Sequence, residues 1–525
     1  VVDSKQGSES CVTVRTRSSI KKPKLHGVLV YYDVCCFSSF FREYVALYKL
    51  QHFPCLPSVL ASDNVKITPL VGDASLVENV ILRIHGLNGS QQIAIKNVYT
   101  SAAFFSLIHG PPGTGKTKMI VSLIESLFSA PIISALKSKM FITNREPRIL
   151  ICAPSNAAVD ELAKRINDLR MKGREEEKLR VLRIGVQNNI DDNLKMLTLD
   201  CIIEKELEER KNRAGLTNFE VTNSERTKRK FELLKRSNVV CATLSSSAKE
   251  LIKVANIDFD ILVIDEACQS VETSTLIPLK FNPTKVVLVG DPKQLPPTVI
   301  SNCKPYEQSL FVRLQKTYQS VLLNVQYRMH PTIVEFPNQY FYDKRLQTHK
   351  SVKKRENPYQ NVVPPISFIQ VNGEERTDSY FSFYNVAEAR YIGNIISELM
   401  KNVKNYDLSN KIGIITPYKA QMKKIKEVLL GIRKDILDFV CVNTVDGFQG
   451  QEKDVILIST VKSKNIGFLS DLRRINVSIT RAKHSLIIIG NTKVLSTSNA
   501  WKSMLSHYRK KNLVFNHYKS IFIKK

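Results

Sequence analysis

The sequence has few features of a secreted or membrane-bound protein. Its 10 cysteines are scattered without a Cys-x-x-Cys pair, which excludes a zinc framework and a disulfide scaffold and favours a reducing compartment. No apolar run approaches the length of a membrane span and no signal-peptide pattern opens the chain, so no membrane partner is expected. Because the first residue is Val1 rather than Met, the chain is expected to be a fragment of a longer protein.

Acidic residues are also scarce. The chain has 49 Asp and Glu against 77 Lys and Arg, which gives a formal net charge of +28. An excess of this size indicates a polyanionic partner, most simply nucleic acid, although a solubilising basic surface produces the same balance. Part of the excess is clustered between Arg226 and Arg236. The short run Lys21-Lys22-Pro23-Lys24 is typical of a nuclear-import patch, a pattern that many sequences contain by chance.

At 525 residues, with 43% hydrophobic residues, the chain is too long for one core and is expected to form two or more domains. Continuous apolar strands that end in charged residues predict an α/β fold with parallel sheets buried on both faces. The expected plan is an N-terminal accessory segment at 1–86, which includes a strand at 27–32, followed by domains at 87–320 and 321–525. A highly charged stretch at about 165–237 predicts a helical insertion, either a solvated hairpin or a projecting subdomain.

A glycine-rich segment between a predicted strand and a predicted helix indicates nucleotide binding. It consists of Gly110, Pro111, Pro112, Gly113, Thr114, Gly115, Lys116 and Thr117. Such a loop lets backbone N–H groups surround phosphate oxygens, and the positive end of the following helix adds to the attraction. Lys116 is expected to reach the β- and γ-phosphates and Thr117 to bind Mg²⁺. The alternative is a Gly/Pro-rich surface loop, which the surrounding strand and helix argue against.

Two adjacent carboxylates follow another predicted strand, at the edge where the ligands of parallel sheets collect. Asp265 and Glu266 come directly after the apolar run 261–264, a position that argues against an ordinary acidic pair on the surface. One carboxylate is expected to hold Mg²⁺ while the other polarises the attacking water. Gln294 is placed where its amide can sense the γ-phosphate or that water.

Hydrolysis also needs positive charge on the developing phosphoryl oxygens, which arginine supplies with rigid donors. The candidates are Arg328 and Arg481 from the second domain, although either alone is compatible with an ordinary salt bridge. Together they would couple closure of the two domains to ATP occupancy. Gln91 is a candidate for reading the adenine edge, whereas a lone Gln is more often a solvated helix residue.

Six motifs in this order resemble those of superfamily 1 helicases of the up-frameshift-like group. They are the glycine-rich loop, Asp265–Gln269, Gly290–Pro297, Gln326–Pro331, Thr444–Asp454 and Asn476–Lys483. Within that group the chain most resembles the senataxin-type helicases, through Leu295–Ser301 and Phe336–Tyr342. The resemblance covers about residues 40–495 and implies two RecA-like parallel-sheet domains that share one nucleotide.

The resemblance also implies ATP hydrolysis with Mg²⁺ and 5′-to-3′ movement on single-stranded RNA or DNA, with unwinding of duplexes or RNA–DNA hybrids. A monomer, a nuclear or additionally cytoplasmic location, and a senataxin-like role in RNA processing or transcription termination belong to the same expectation. Residue by residue, it assigns Gln91 and Tyr327 to the adenine and Glu452 to the ribose. It assigns Gln294, Arg328 and Arg481 to the γ-phosphate. It assigns Mg²⁺ to Thr117 and Asp265.

The positions at which family members grip nucleic acid are occupied by Ser155, Asn156, Thr243, Pro417, Tyr418 and Thr444. Short polar side chains and backbone amides there would contact phosphate and sugar, which gives affinity without sequence choice. The charged stretch at 165–237 stands at the place of the group's helical subdomain that touches nucleic acid. The chain departs from the family pattern at Lys483, where Arg is common, and the β-barrel before the core is shortened or cut off.

The residues leave two other functions open. One is a nucleic-acid clamp in which ATP gates the grip with little unwinding, and the sequence does not separate it from a helicase. The other is a P-loop ATPase that remodels protein, which the basic balance and the ordered motifs argue against. A scaffold without catalysis would be expected to lack Lys116, Glu266 or an arginine finger, and none of these is lost.

Overall fold

A computed structural model describes residues 2–6, 9–13, 38–61, 68–139, 146–172, 179–214, 222–299, 303–359, 361–403 and 407–522. The chain divides into two compact units, Val1–Ser39 and Phe40–Lys525. In the first unit an antiparallel hairpin joins β1 (Val2–Gln6) to β2 (Glu9–Thr13). The strand predicted at 27–32 and the basic run at 21–24 lie outside the described residues.

The second unit contains two parallel sheets, the first of which has seven strands. They are β3 (Phe105–His109), β4 (Ile149–Ala153), β5 (Val181–Ile184), β6 (Val239–Thr243), β7 (Ile261–Ile264), β8 (Lys285–Gly290) and β9 (Ser320–Leu322). Their spatial order is β5-β6-β4-β7-β8-β3-β9, and all neighbours are parallel. The strands are apolar throughout because both faces are covered. In β4, Ile149 and Ile151 belong to one core, whereas Leu150 and Cys152 belong to the other.

Helices cover the faces of this sheet. They are α1 (Ser38–Lys49), α2 (Leu56–Leu60), α3 (Ala74–Arg83), α4 (Gly89–Thr100), α5 (Lys116–Leu127), α6 (Ala130–Lys139), α7 (Asn156–Lys172), α8 (Leu199–Ala214), α9 (Asn223–Arg236), α10 (Glu250–Val254), α11 (Glu272–Leu276) and α12 (Leu310–Leu314). Helix α5 starts directly after the glycine-rich loop, so the positive end of the helix faces the loop. Among the described helices, no single one is long and apolar enough to cross a membrane. By length and composition alone, the bent pair Lys116–Leu127 and Ala130–Lys137 together reaches that threshold.

The second half of the chain repeats this architecture. Its strands are β10 (Val325–Gln326), β11 (Gln347–Thr348), β12 (Ile366–Gln370), β13 (Arg376–Thr377), β14 (Phe383–Tyr384), β15 (Ile412–Thr416), β16 (Val440–Thr444), β17 (Lys453–Ser459), β18 (Ala482–Gly490) and β19 (Val514–Phe515). Its helices are α13 (Pro331–Phe341), α14 (Lys350–Lys353), α15 (Val386–Asn402), α16 (Lys419–Ile432), α17 (Ile436–Phe439), α18 (Leu472–Ile479), α19 (Thr492–Leu495) and α20 (Asn499–Lys510). Six strands form a parallel sheet in the order β16-β15-β17-β18-β12-β19. The prediction of two parallel-sheet α/β domains is therefore confirmed.

The structure differs from the expected plan at the boundaries of its parts. Val59 and Val77, from the stretch expected to be accessory, are buried in the two cores of the first domain. Strand β5 falls within 165–237, so the paired helices of the insertion are limited to α8 and α9. The strand was hidden because Arg183 interrupts its apolar pattern. The first sheet ends with β9 at Leu322, close to the boundary expected between residues 320 and 321.

Candidate functional site

The glycine-rich loop lies between β3 and α5, at the carboxyl edge of the first sheet. Gly110 N donates to Gly290 O (2.9 Å), which ties the loop to the end of the neighbouring strand β8. Gly113 and Gly115 have φ angles of +72° and +80°, in the region that favours glycine. A Cβ at Gly113 would lie 2.5 Å from Arg328 Cβ, and one at Gly115 would lie 2.6 Å from Gln91 Nε2. The loop therefore needs glycine at both positions.

The lysine of the loop, Lys116, lies close to the adjacent carboxylates Asp265 and Glu266. Lys116 Nζ donates to Gly110 O (3.1 Å) and lies 3.8 Å from Glu266 Oε1. Lys116, Thr117, Asp265 and Glu266 all line one cavity of about 340 Å³. A glycine cradle that a Cβ would fill, together with an ammonium group, fits the phosphates of ATP.

The two carboxylates stand at the end of β7, as predicted. Asp265 is buried, and burial followed by the neighbouring charge of Glu266 raises its pKa to about 7. Glu266 has a φ of +51°, which costs a residue other than glycine about 1–2 kcal/mol. Gln269 Nε2 donates to Glu266 Oε2 (2.6 Å) and so fixes that side chain. Backbone strain of this kind is typical of sites where a side chain must be aimed.

The donor set for a metal ion is small. Within the described ranges, no group of three or more His, Cys, Asp or Glu side chains could hold a metal ion. Mg²⁺ usually keeps several waters and is bound by one or two carboxylates together with substrate phosphates. Thr117 and Asp265 line the same cavity, so they fit a Mg²⁺ ion that enters with the triphosphate.

Arg481 reaches from the loop between α18 and β18 into the first domain. Its Nη2 donates to Gln294 Oε1 (2.7 Å), and Gln294 Nε2 donates in turn to Asp291 Oδ2 (2.7 Å). Arg481 is only 2% exposed, and burial followed by repulsion from Arg328 lowers its pKa to about 9. Two of the predicted γ-phosphate residues are thus in direct contact across the two domains.

Arg328, the second predicted finger, is held by the residue predicted to bind the ribose. Arg328 Nε donates to Glu452 Oε2 (2.6 Å), and Lys483 Nζ lies 3.2 Å from Glu452 Oε1. Burial opposes ionisation of Glu452, but Arg328 and Lys483 outweigh it and lower its pKa to about 2. Arg328 and Glu452 both line the cavity beside the glycine-rich loop.

The residues predicted to meet adenine lie at the amino end of α4. The Tyr327 hydroxyl accepts from Asn88 Nδ2 (2.9 Å), and its ring centroid lies 4.6 Å from that of His349. Gln91 is buried, with its Nε2 donating to Thr114 O (3.2 Å) and its Oε1 accepting from Asn88 N (3.1 Å). Contact between Gln91 and adenine would require the exchange of these hydrogen bonds.

A buried hydrogen-bond network joins the two domains at the strand ends beside the glycine-rich loop. Tyr342 OH donates to Asp291 Oδ2 (2.8 Å), and His109 Nε2 lies 3.1 Å from Asp291 Oδ1. Asn476 Nδ2 donates to Tyr342 OH (2.7 Å) and to Lys293 O (2.8 Å). Burial opposes the ionised form of Asp291, but its partners, His109 first, outweigh burial and lower its pKa. The network ties the strand ends β3 and β8 to helices of the second domain.

The six predicted nucleic-acid residues lie at the carboxyl ends of neighbouring strands. Those of the first domain are Ser155 and Asn156 after β4, and Thr243 at the end of β6. Those of the second domain are Pro417 and Tyr418 after β15, and Thr444 at the end of β16. Their hydroxyl groups support local turns, since Ser155 Oγ accepts from Ala158 N (3.2 Å) and Thr444 Oγ1 accepts from Gly447 N (3.2 Å).

A buried ion pair behind one of these loops was not predicted from the sequence. Arg183, 1% exposed on β5, donates from Nε to Asp160 Oδ1 (2.6 Å) and from Nη2 to Asn156 Oδ1 (2.9 Å). It therefore fixes the first turn of α7. The available signal was a charged residue within an apolar strand pattern. Tyr342 and Asn476 lie within the family motifs, but nothing in the sequence indicates that they touch.

Known proteins resemble this chain over most of its length. Two family models, each described as an AAA domain, match residues 86–230 and 216–302 in one case and 306–493 in the other. Helicase sen1 of Schizosaccharomyces pombe is 34% identical over 96% of this chain and 35% of that protein. An uncharacterized ATP-dependent helicase of Methanocaldococcus jannaschii is 33% identical over 80% of this chain and 70% of that protein. The chain belongs to the superfamily 1 helicases, in the up-frameshift-like group of senataxin type.

Within this family of ATP-dependent helicases, the chain corresponds to part of the longer members. Human probable helicase senataxin is 31% identical over 83% of this chain but only 20% of that protein. The chain likewise spans 35% of the Schizosaccharomyces pombe relative. The solved PRRSV helicase matches with a TM-score of 0.36 and 14% identity over 78% of this chain and 56% of that chain.

Proposed function

We propose that this chain is an ATP-driven 5′-to-3′ translocase and helicase on single-stranded RNA or DNA, which unwinds duplexes or RNA–DNA hybrids. The hydrogen bond between Gln294 and Arg481 carries the proposal, because it puts an arginine of the second domain beside the phosphate loop of the first. Movement of one domain against the other therefore changes the chemistry of the site. By the same linkage, occupancy of the site changes the preferred arrangement of the domains.

Each side chain has a separate task in this proposal. ATP with Mg²⁺ supplies the phosphoryl group whose transfer to water drives the cycle. Lys116 and the backbone N–H groups of the loop would hold the phosphates, and Thr117 and Asp265 would hold the Mg²⁺ ion, which would neutralise phosphate charge. Glu266, oriented by Gln269, positions and polarises the attacking water.

The two arginines place fixed positive charge where the phosphoryl oxygens gain negative charge. Arg481 is held by Gln294 and lines the cavity beside the glycine-rich loop, where it would meet a γ-phosphate. Arg328 is held by Glu452, so a ribose hydroxyl that contacts Glu452 would compete with that ion pair and release the finger toward the phosphates. Nucleotide binding would then assemble the site by exchange of partners.

The polar residues at the two sheet edges and the net charge of +28 support a grip on the backbone of nucleic acid without sequence choice. A single chain contains both edges and both arginines, so a monomer is sufficient for this cycle. From the relatives we also propose a nuclear location and a senataxin-like role in RNA processing or transcription termination.

An unwinding assay with matched substrates tests this proposal. Duplex DNA, duplex RNA and RNA–DNA hybrid of one sequence would each carry either a 5′ or a 3′ overhang. We expect unwinding only with ATP, Mg²⁺ and the 5′ overhang, and none with Lys116→Ala. Unwinding from the 3′ overhang would contradict the direction. ATP-dependent binding without strand separation would instead identify a clamp.

A further inference from the structure

A hairpin of the second domain presents two aromatic side chains to solvent. Its strands β13 and β14 are joined by the turn 378–382. Tyr380 and Phe381 in this turn are 82% and 87% exposed, the highest values among the large hydrophobic side chains that the structure describes. Exposed aromatic groups that stand together are candidates for an interaction site, and the elements around them decide what they bind.

Hydrogen bonds within the turn fix the backbone that carries the two rings. Asp378 Oδ1 accepts from Tyr380 N (3.0 Å) and from Ser382 N (2.8 Å), and Asp378 O accepts from Phe381 N (3.1 Å). Phe381 has a φ of +58°, which is an outlier for a bulky side chain. Because strained residues cluster at functional sites, this conformation indicates that the exposed turn has a functional role.

The base of the hairpin rests on the edge of the second sheet to which nucleic-acid contacts were assigned. The ring centroids of Phe383 and Tyr418 lie 5.3 Å apart at an angle of 68°. Ser382 Oγ accepts from Ala420 N (3.1 Å) in the first turn of α16. Lys462 Nζ lies 3.5 Å from the ring centroid of Phe383. The hairpin therefore extends the surface around Tyr418.

The elements that adjoin the hairpin carry exposed cations, beside the acidic residues Glu374, Glu375 and Asp378 of the hairpin segment itself. Arg376 on β13, Lys419 at the start of α16 and Lys464 after β17 are all exposed. Lys464 N donates to Glu375 Oε2 (3.2 Å), which places it beside β13. Exposed aromatic rings among cations are the combination by which proteins bind single-stranded nucleic acid, since bases stack on the rings and phosphates meet the charges. A surface for an apolar protein partner would instead have apolar side chains around the two rings.

We propose that Tyr380 and Phe381 form a stacking site for unpaired bases of single-stranded RNA or DNA. The site is additional to the six contact positions described above, and it rests on the proposed function because it needs a nucleic-acid strand at this edge. Stacking tolerates every base, so the site adds affinity without sequence preference.

The test compares the unchanged chain with the double variant Tyr380→Ala/Phe381→Ala. Binding of single-stranded RNA and DNA that carry a fluorescent base analogue is measured over a salt titration. We expect about tenfold or greater loss of affinity and a smaller fluorescence change, because stacking is lost. The slope of log Kd against log salt should stay the same, since aromatic rings release no counterions.

The chain offers a matched control in Tyr44→Ala/Tyr48→Ala. These two rings on α1 are also exposed, at 65% and 63%, and their removal should leave affinity unchanged. Both double variants should unfold at the temperature of the unchanged chain, because exposed side chains contribute little to stability.

The outcomes separate this inference from the proposed function. If the unchanged chain binds no single strand, the proposed function fails and the stacking site fails with it. If the unchanged chain binds and the Tyr380/Phe381 variant binds equally well, the stacking site is overturned while the proposed function stands. The hairpin would then be a surface for a protein partner.

Discussion

At the scale of single residues, the cations of the proposed nucleotide site already have protein acceptors. Lys116 contacts Gly110 O, Arg328 pairs with Glu452, and Arg481 donates to Gln294. Binding of a triphosphate therefore exchanges partners instead of neutralising bare charges. Because the donor Arg481 and its acceptor Gln294 belong to different domains, the exchange links nucleotide occupancy to the position of the domains.

The first prediction concerns Lys116→Ala and Glu266→Gln. Each should reduce kcat for ATP hydrolysis at least about a hundredfold, because one removes phosphate stabilisation and the other removes the group that polarises water. Affinity for single-stranded RNA without nucleotide should stay largely intact, since neither side chain lies at the predicted strand-gripping positions. Steady-state ATPase and equilibrium binding measure both effects. Turnover near that of the unchanged chain in either variant would refute the assignment.

The second prediction concerns the network between the domains. Tyr342→Phe keeps the ring but removes the hydroxyl that donates to Asp291, a hydrogen bond to a charged group worth about 1.5–3 kcal/mol. We expect a lower free energy of unfolding and a smaller stimulation of ATPase by nucleic acid, because the link between the domains is weakened.

Tyr508→Phe is the matched control for this change. Tyr508 is fully buried, and its hydroxyl has no hydrogen-bond partner within the described ranges. Its loss should leave the free energy of unfolding unchanged or raise it, because an unpaired buried hydroxyl is removed, and should leave the ATPase stimulation unchanged. Equal behaviour of the two Tyr→Phe variants would show that the Asp291 contact has no special role.

At the scale of elements, local patterns predicted most of what the structure contains. Sequence patterns predict the glycine-rich loop, the carboxylates after β7 and the apolar strands, because each of these features depends on residues that are neighbours in sequence. The sequence does not predict contacts between residues that are distant in the chain. The hydrogen bond between Tyr342 and Asp291 is the clearest example. Strand β5 was missed for a related reason, since the charge of Arg183 is compensated by Asp160 from another element.

The third prediction is a pH effect on the contact between α15 and β17. Glu388 is buried there and accepts from Ser459 Oγ (2.6 Å) and Val461 N (2.9 Å). Burial raises its pKa from 4.5 to about 7, against the effect of these hydrogen bonds. The folded state therefore holds the proton more tightly than the unfolded state. The resulting stabilisation is complete below about pH 4.5 and is lost as the pH rises through about 7.

Glu388→Gln stays neutral over this range. The free energy of unfolding of this variant should therefore change less steeply between about pH 4.5 and 7 than that of the unchanged chain. Denaturant unfolding at several pH values measures the slope. Glu427→Gln on the exposed face of α16 is the control and should keep the original slope. An unaltered slope in Glu388→Gln would contradict the assignment.

At the scale of the whole molecule, the net charge of +28 and the polar residues at two sheet edges indicate a polyanionic binding partner. The fourth prediction follows from this balance. Affinity for single-stranded RNA should fall at least about tenfold between about 50 and 200 mM salt, because contacts with phosphate release counterions. An affinity that stays constant across the titration would count against a backbone grip.

We propose that binding of nucleic acid and hydrolysis of ATP are coupled through the two domains. The most direct measurement is steady-state ATPase activity with and without single-stranded RNA and DNA of matched length. The structure predicts strong stimulation, because a bound strand would favour the domain arrangement in which Arg328 and Arg481 meet the phosphates. ATP turnover that is indifferent to both polymers would contradict a nucleic-acid motor and favour an ATPase that remodels protein.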